Sequence, residues 1–203
     1  MRSTVAATSA EDAGATPSTR QWLTERQSET VDALLDAGHE ALAEVGLGAL
    51  SLRDVARRAG VTHTTAYNYF TSKEHLVAEL HWRLLRRVPL AAPDPDAPLG
   101  ERLTEALRGA SGALTEDPSL AEAALAALVG RDPEIARIRD SIGAEIRRRL
   151  QVVGGDELDD RMLDGVLLLH SGAMLQAGLG YLTFDEVVGR IADIVDLWGR
   201  PDD

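Results

Sequence analysis

The sequence predicts an all-α protein with two units. The N-terminal unit has three helices followed by a fourth, and the C-terminal unit is a helical bundle. Apolar residues recur at spacings of three and four, and no segment shows the sustained alternation of a strand. Four prolines within residues 89–98 mark a junction, because proline disfavours helix. Residues 18–90 carry nine basic and nine acidic side chains, whereas residues 91–203 carry 11 arginines and 22 acids. We therefore place the units at residues 20–88 and 99–203.

The composition indicates a cytoplasmic protein without a membrane partner. Residues 1–19 are small and polar and lack the apolar segment of a secretory signal, so we expect a disordered tail there. No stretch approaches the roughly 20 apolar residues of a membrane span. The chain has no cysteine, which excludes disulfides, thiolate metal sites and cysteine nucleophiles.

The first two helices follow from apolar stripes and their boundary residues. Residues 28–45 place apolar side chains on one face and acids on the other, and Gly46 and Gly48 are expected to end this helix. Ser51 with Asp54 resembles a capping box that opens a short second helix. Gly60 then breaks that helix.

The later helices are predicted by similar start signals. Thr62 can cap a third helix to about residue 68, and Thr71 with Glu74 forms a capping pair for a fourth that reaches about residue 88. Asp followed by Pro opens two helices of the second unit. Five helices are expected there. The first covers residues 99–114, the second begins at Pro118 and the third at Pro133. The last two cover residues 157–181 and 184–198, and Thr183 with Glu186 forms a capping box before the last one.

Residues 51–70 give a helix, a glycine-containing break and another helix. Apolar residues are spaced to hold the two helices at a steep angle, which is typical of a helix-turn-helix whose second helix enters the DNA major groove. A purely structural helical hairpin shares this pattern.

Residues 51–76 read SLRDVARRAGVTHTTAYNYFTSKEHL. This run resembles the DNA-binding signature of TetR-type transcriptional regulators, with its Ala-Gly-Val-Ser/Thr core, Tyr-x-x-Phe and Ser-Lys-Glu-x-Leu. The resemblance covers about residues 25–80. The sequence departs from the family pattern at two positions: Thr64 stands where the family often has Gly, and Ala66 stands where it often has Leu or Ile. The second unit resembles the family only in size, helix count and position. The resemblance implies a DNA-binding domain followed by a ligand-binding and dimerisation domain.

The start of the third helix carries residues suited to DNA contact. Thr62 offers a hydroxyl near free amides for a phosphate. His63, Thr64 and Thr65 lie in the first turn, where side chains reach base edges. The resemblance implies that Tyr67 lies near DNA bases or phosphates. It also implies that Tyr69 and Lys73 contact the DNA backbone. The predicted contact set is completed by Ser51, Arg53 and Asn68.

Several of these residues have structural alternatives. Tyr67 and Tyr69 are also compatible with core positions that keep a polar tip exposed. Lys73, the only lysine in the chain, is also compatible with a surface ion pair to a nearby acid, Glu74 or Glu79. Phe70 is expected in the core. Arg57 and Arg58 are interpreted as part of a solvated helix face. Arg20 and Arg26 are candidates for an arm that reaches into the minor groove.

The last two helices combine apolar stripes with small residues, which fits an ordinary core or, as the resemblance implies, a homodimer interface. The resemblance also implies a small-molecule effector. Candidate residues that line its pocket are Trp82, His170, Met174 and Tyr181.

No motif argues for catalysis, a metal or a cofactor. His75 and His81 lie on different helix faces, His170 stands alone, and there is no nucleophile elbow, P-loop or dinucleotide fingerprint. We expect a repressor that leaves a palindromic double-stranded DNA operator when a small molecule binds. The alternative is a ligand-independent nucleoid or cell-division interaction protein on the same fold.

Overall fold

The computed structural model describes residues 25–90 and 92–198, which form nine α-helices and contain no strand. The predicted all-α fold is confirmed. The predicted tail, residues 1–19, and Arg20 lie outside the described residues. In chain order the helices are α1 (Glu25–Ala49), α2 (Leu52–Arg58), α3 (His63–Tyr69), α4 (Lys73–Arg87), α5 (Leu99–Thr115), α6 (Pro118–Leu128), α7 (Pro133–Gly154), α8 (Asp160–Gly178) and α9 (Phe184–Trp198).

Helix α1 is longer than the sequence predicted. It begins at Glu25 rather than Ser28 and continues past Gly46 to Ala49. The regular helix is interrupted at Gly46, one of the two predicted glycines, because its φ of 68° and ψ of 168° are not helical, and a further short turn follows to Ala49. The amide of Leu50 then donates to the Gly46 carbonyl at 3.1 Å, which closes the last turn.

Most predicted helix caps are present, but the cap of α4 is not the predicted one. The side-chain oxygens of Ser51, Thr62, Asp117, Asp132 and Asp159 accept hydrogen bonds from backbone amides in the first turns of their helices. For α4 the cap is Ser72, whose hydroxyl accepts from the His75 amide at 3.0 Å. Thr71 lies one residue outside the helix, and its amide donates to Nδ1 of His75 at 3.1 Å.

Helix α8 is shorter than predicted at both ends. A 3-10 turn at Gly155–Glu157 precedes it, and Asp159 caps it by accepting from the Met162 amide at 2.8 Å. The helix stops at Gly178, and Gly180 has a φ of 78°, a left-handed conformation that ends helices. Thr183 and Glu186 form the predicted box before α9, with the Glu186 amide donating to the Thr183 hydroxyl at 3.2 Å.

Helix α4 joins the first helices to the bundle. It packs against α1 on one side and against α5, α6 and α7 on the other. Its buried Arg83 lies 2.7 Å from a carboxylate oxygen of Asp36 on α1 and donates to the Asp32 carbonyl. One apolar core therefore runs from α1 to α9. The division into two units at residues 89–98 stays a prediction.

Within residues 25–90 and 92–198, no helix is both long and apolar enough to cross a membrane.

Candidate nucleic-acid interface

A glycine-containing turn fixes the angle between α2 and α3. The Gly60 amide donates to the Arg57 carbonyl at 3.3 Å, and the Val61 amide donates to the Ala56 carbonyl at 3.0 Å. This pair of bonds is the Schellman arrangement, and it requires the positive φ of 69° that Gly60 adopts. Ala56 and Ala66 are buried where the two helices meet. The result is a helix-turn-helix.

Helix α3 presents most of its surface to solvent. Among its seven residues only Ala66 is buried. Two exposed side chains lie in the first turn, His63 and Thr64, and two lie in the second, Tyr67 and Asn68. Tyr67 is 55% exposed. None of the four is acidic. They offer hydrogen-bonding groups and a methyl group, which are the contacts that read base edges.

Two hydroxyls of the predicted contact set cap helices. The Thr62 hydroxyl accepts from the Thr65 amide at 3.1 Å and lies 2.9 Å from the Thr65 hydroxyl. The Ser51 hydroxyl accepts from the Asp54 amide at 3.2 Å and donates to the Asp54 carboxylate at 2.8 Å. That bond from Ser51 holds the pKa of Asp54 below its usual range. These hydroxyls position α2 and α3.

The aromatic residues near the end of α3 divide between core and surface. Phe70 is 2% exposed and meets the ring of His75 edge-on, with 5.5 Å between the ring centroids. The prediction that Phe70 belongs to the core is confirmed. Tyr69 is half-buried against the same core, whereas Tyr67 faces solvent. The core alternative therefore applies to Tyr69 and not to Tyr67, and a DNA contact by either tyrosine stays a prediction.

Lys73 has a structural role that the sequence did not indicate. Its ammonium group donates to the carbonyl oxygens of Leu47 at 2.7 Å and Gly48 at 3.1 Å, in the last turn of α1. An ammonium group has three donors, so one remains for another acceptor. A phosphate contact by Lys73 stays a prediction.

The arginines of α2 differ in their surroundings. Arg53 is exposed, and Arg57 is exposed beside the Asp54 carboxylate at 3.5 Å. Arg58 donates to the Glu44 carboxylate on α1 at 2.9 Å, and this bond holds the pKa of Glu44 below its usual range. Arg58 therefore ties α2 to α1, while Arg53 and Arg57 are exposed on α2.

Two helix-capping aspartates connect this region to the bundle. Asp117 accepts from the Leu120 amide with Oδ1 at 3.0 Å, while its Oδ2 lies 3.0 Å from Nε2 of His39 on α1. Asp132 accepts from the Glu134 amide with Oδ1 at 2.7 Å. Its Oδ2 accepts from the Thr71 hydroxyl at 3.2 Å. Each carboxylate therefore caps a bundle helix and holds the DNA-binding region at the same time.

The predicted ligand-lining residues do not all come together. His170 and Met174 are buried on α8, and Trp82 is half-buried on α4. Tyr181 is 76% exposed beyond the end of α8, outside the core. The structure adds His81 of α4, a buried histidine whose pKa is lowered mainly by burial and further by His170.

Two of the buried histidines each have one ring nitrogen without a partner within the part of the chain that the structure describes. Nδ1 of His81 and Nε2 of His170 have none, and neither has Nε1 of Trp82. Burial lowers the pKa of both histidines to about 4, so both imidazoles are neutral at neutral pH.

The comparisons with known proteins agree with this geometry. The family model for bacterial regulatory proteins of the tetR family matches residues 34–80. The chain is 37% identical over 174 residues to an uncharacterized HTH-type transcriptional regulator of Mycobacterium tuberculosis, with 85% of this chain and 81% of that protein covered. The chain belongs to the TetR family. It is a DNA-binding transcriptional regulator.

More distant TetR-family relatives share parts of the chain or the fold. The HTH-type transcriptional repressor KstR of Rhodococcus jostii is 34% identical over 119 residues, which cover 58% of this chain and 56% of that protein. A TetR transcriptional regulator from Rhodococcus sp. RHA1 has a TM-score of 0.71 at 22% identity, with 86% of this chain and 96% of that chain covered. Thermus thermophilus FadR in complex with lauroyl-CoA has a TM-score of 0.63 at 18% identity, covering 85% and 96%. At these identities the two structures show the fold alone.

Proposed function

We propose that this TetR-family protein is a homodimeric repressor that binds a palindromic operator and releases it when a small molecule binds among the C-terminal helices. The observation that supports DNA recognition is the exposed face of α3, formed by His63, Thr64, Tyr67 and Asn68. In a helix-turn-helix the second helix lies in the major groove. Arg53, Arg57 and the third donor of Lys73 then lie on the adjacent surface, where they contact phosphates.

An exposed apolar stripe on α8 supports the dimer. Leu168, Leu175 and Leu179 are 77%, 51% and 63% exposed. Leu168 and Leu175, seven residues apart, lie on one face of α8, and Leu179 is the residue that follows its last turn. A second copy that packs against this face buries all three leucines and forms a two-fold interface. Each operator half-site then takes one copy of α3, with the two copies about 34–36 Å apart.

The buried polar atoms of α4 and α8 support a ligand-responsive core. Buried polar atoms in native proteins almost always have hydrogen-bond partners, so His81, Trp82 and His170 indicate a place for a polar group of a ligand. His81 and Trp82 lie on α4, which begins at Lys73 beside the DNA-binding helices. A ligand that prefers one position of α4 shifts the population away from the DNA-bound form.

The relatives support the same regulatory scheme. KstR of Rhodococcus jostii is a transcriptional repressor, and Thermus thermophilus FadR is a TetR-family repressor with bound lauroyl-CoA. By analogy we assign this chain a repressor role with an organic effector.

Two measurements on the full chain test the proposal. Footprinting on DNA upstream of the protein's own gene should reveal a protected palindrome. A metabolite screen against the labelled operator should then find compounds that raise the melting temperature of the protein and release the DNA. Protection without any compound that changes either quantity would contradict the effector-controlled scheme and favour a ligand-independent DNA-binding protein.

A further inference from the structure

The turn between α3 and α4 is held at Thr71 from two sides. The Thr71 amide donates to Nδ1 of His75 at 3.1 Å, and its hydroxyl donates to Oδ2 of Asp132 at 3.2 Å. Thr71 directly follows Phe70, the C-cap of α3. His75 lies in the first turn of α4, and Asp132 is the N-cap of α7. Two helices therefore hold the residue next to the end of α3.

His75 takes a place that Glu or Gln often takes in a helix. It is the third residue of α4, from which a side chain reaches back to a backbone amide before the helix. Because Nδ1 accepts the Thr71 N–H, the neutral ring carries its proton on Nε2. The ring is 5% exposed and meets Phe70 edge-on, so it is packed in this position. A protonated imidazole has donors on both nitrogens. The bond from the Thr71 amide therefore exists only while His75 is neutral.

Burial and charged groups at the start of α7 act on the protonation of His75. Burial has the largest effect and lowers the pKa of His75 from its ordinary 6.5. Glu134 and Asp132 act to raise this pKa, and Arg137 acts to lower it. The bond from the Glu134 amide holds the pKa of Asp132 below its usual range, so the Asp132 carboxylate stays charged in mild acid. His75 is therefore the member of this contact that gains a proton below pH 6.5.

We propose that neutral His75 and Asp132 are positioning residues for DNA recognition, which hold Thr71 and so fix the end of α3, and that acid releases this hold. A proton on Nδ1 faces the Thr71 N–H across 3.1 Å, so the amide has no acceptor and the two donors repel. A charged ring also gains hydration when it leaves the core. Both effects free the end of α3 and weaken operator binding. This control rests on the DNA-reading role proposed for α3, and it needs no small molecule.

Four variants of the full chain separate the acceptor at His75 from its charge. His75→Asn places an acceptor oxygen near the position of Nδ1 but does not titrate, whereas His75→Leu removes the acceptor. Thr71→Val removes the hydroxyl and keeps the amide. His39→Asn is the matched control, because His39 is the other histidine that faces a bundle cap, with Nε2 3.0 Å from Oδ2 of Asp117.

Hydrogen exchange tests the hold without DNA. Mass spectrometry at pH 7.5 and pH 5.0, corrected for the intrinsic exchange rates, follows peptides that cover residues 63–72. Acid should lower their protection by about threefold to tenfold in the unchanged protein and in His39→Asn, the size of one lost hydrogen bond. Protection should be independent of pH in His75→Asn and low at both pH values in His75→Leu. Equal acid effects in the unchanged protein and His75→Asn would overturn the proposal.

Operator binding tests the consequence for DNA recognition. The probe is the labelled duplex that footprinting protects, and anisotropy is measured at the same two pH values. The ratio of the affinity of the unchanged protein to that of His75→Asn should fall by about threefold to tenfold on acidification. Thr71→Val should bind more weakly at both pH values and keep the acid loss.

Two outcomes of the DNA measurement would overturn the positioning role. One is an affinity ratio that does not change with pH, and the other is an acid loss that disappears in His39→Asn. An unchanged protein that fails to bind the duplex at pH 7.5, yet loses α3 protection in acid, would contradict the proposed function and still support the hold by His75.

Discussion

The ammonium group of Lys73 lies 2.7 Å from the carbonyl oxygen of Leu47. Lys73 is the first residue of α4, and Leu47 lies in the last turn of α1, where carbonyl groups lack partners within the helix. This contact fixes the start of α4 against the end of α1. The only lysine of the chain therefore stabilises the junction of the helices that carry α3, whatever it does with DNA.

Replacing Lys73 by Met should have two effects. Loss of a charged donor to two carbonyls should lower the free energy of unfolding by about 2 kcal/mol, measured by urea denaturation. If the third donor binds a phosphate, the slope of log affinity against log salt should also fall by about one unit. Arg87→Met is the control, because it removes one positive charge from an exposed position at the other end of α4. A stability loss with an unchanged salt slope would leave Lys73 as a structural residue only.

Leu168→Glu should prevent dimerisation. Leu168 is 77% exposed in the single chain, and a carboxylate there would be buried without a partner in the proposed interface. Sedimentation velocity should show a monomer, and operator affinity should fall at least tenfold as the second half-site contact is lost. Val129→Glu, on an apolar residue that is 71% exposed at the end of α6, should stay dimeric. A dimeric Leu168→Glu protein would refute the assigned interface.

Stability should fall as pH is lowered from about 6.5 towards 4. Burial lowers the pKa of His81 and His170 from 6.5 to about 4. Between these values the unfolded chain binds protons that the folded chain does not, so the unfolding free energy rises with pH there. The full effect is on the order of 3 kcal/mol for each histidine. His75, whose pKa is also lowered by burial, acts in the same direction.

His170→Leu should flatten this pH dependence. The variant removes one of the buried imidazoles, while His75 and His81 remain. Denaturation curves at several pH values between 4.5 and 7 give the slope directly. A variant with the same slope as the unchanged protein would show that the pKa of His170 is not lowered in the folded state.

Local signals allowed much of the fold to be predicted, because caps and breaks act over a few residues. Ser51, Thr62, Asp117 and Asp132 cap the predicted helices, and Gly60 forms the predicted turn. The errors are also local. Adjacent hydroxyls compete for one cap, which is how Thr71 was predicted in place of Ser72. A helical turn can also follow a break, as it does between Gly46 and Ala49.

The tertiary contacts of the site were beyond local prediction. The acceptors of Lys73 lie 25 and 26 residues away, and the second oxygens of Asp117 and Asp132 bind partners 78 and 61 residues away. Spacing in the sequence carries no signal for such pairs. The effect of His170 on the pKa of His81 is of the same kind, since the two residues lie on different helices, α8 and α4.

Operator affinity of α3 variants tests the central claim most directly. Fluorescence anisotropy at one fixed salt concentration should show at least tenfold weaker operator binding for Tyr67→Ala and for Asn68→Ala. Both residues are exposed, so melting temperatures should stay unchanged. Glu122→Ala, an exposed change on α6, should bind the operator like the unchanged protein. Full operator affinity in both α3 variants would contradict the assignment of α3 as the DNA-reading helix.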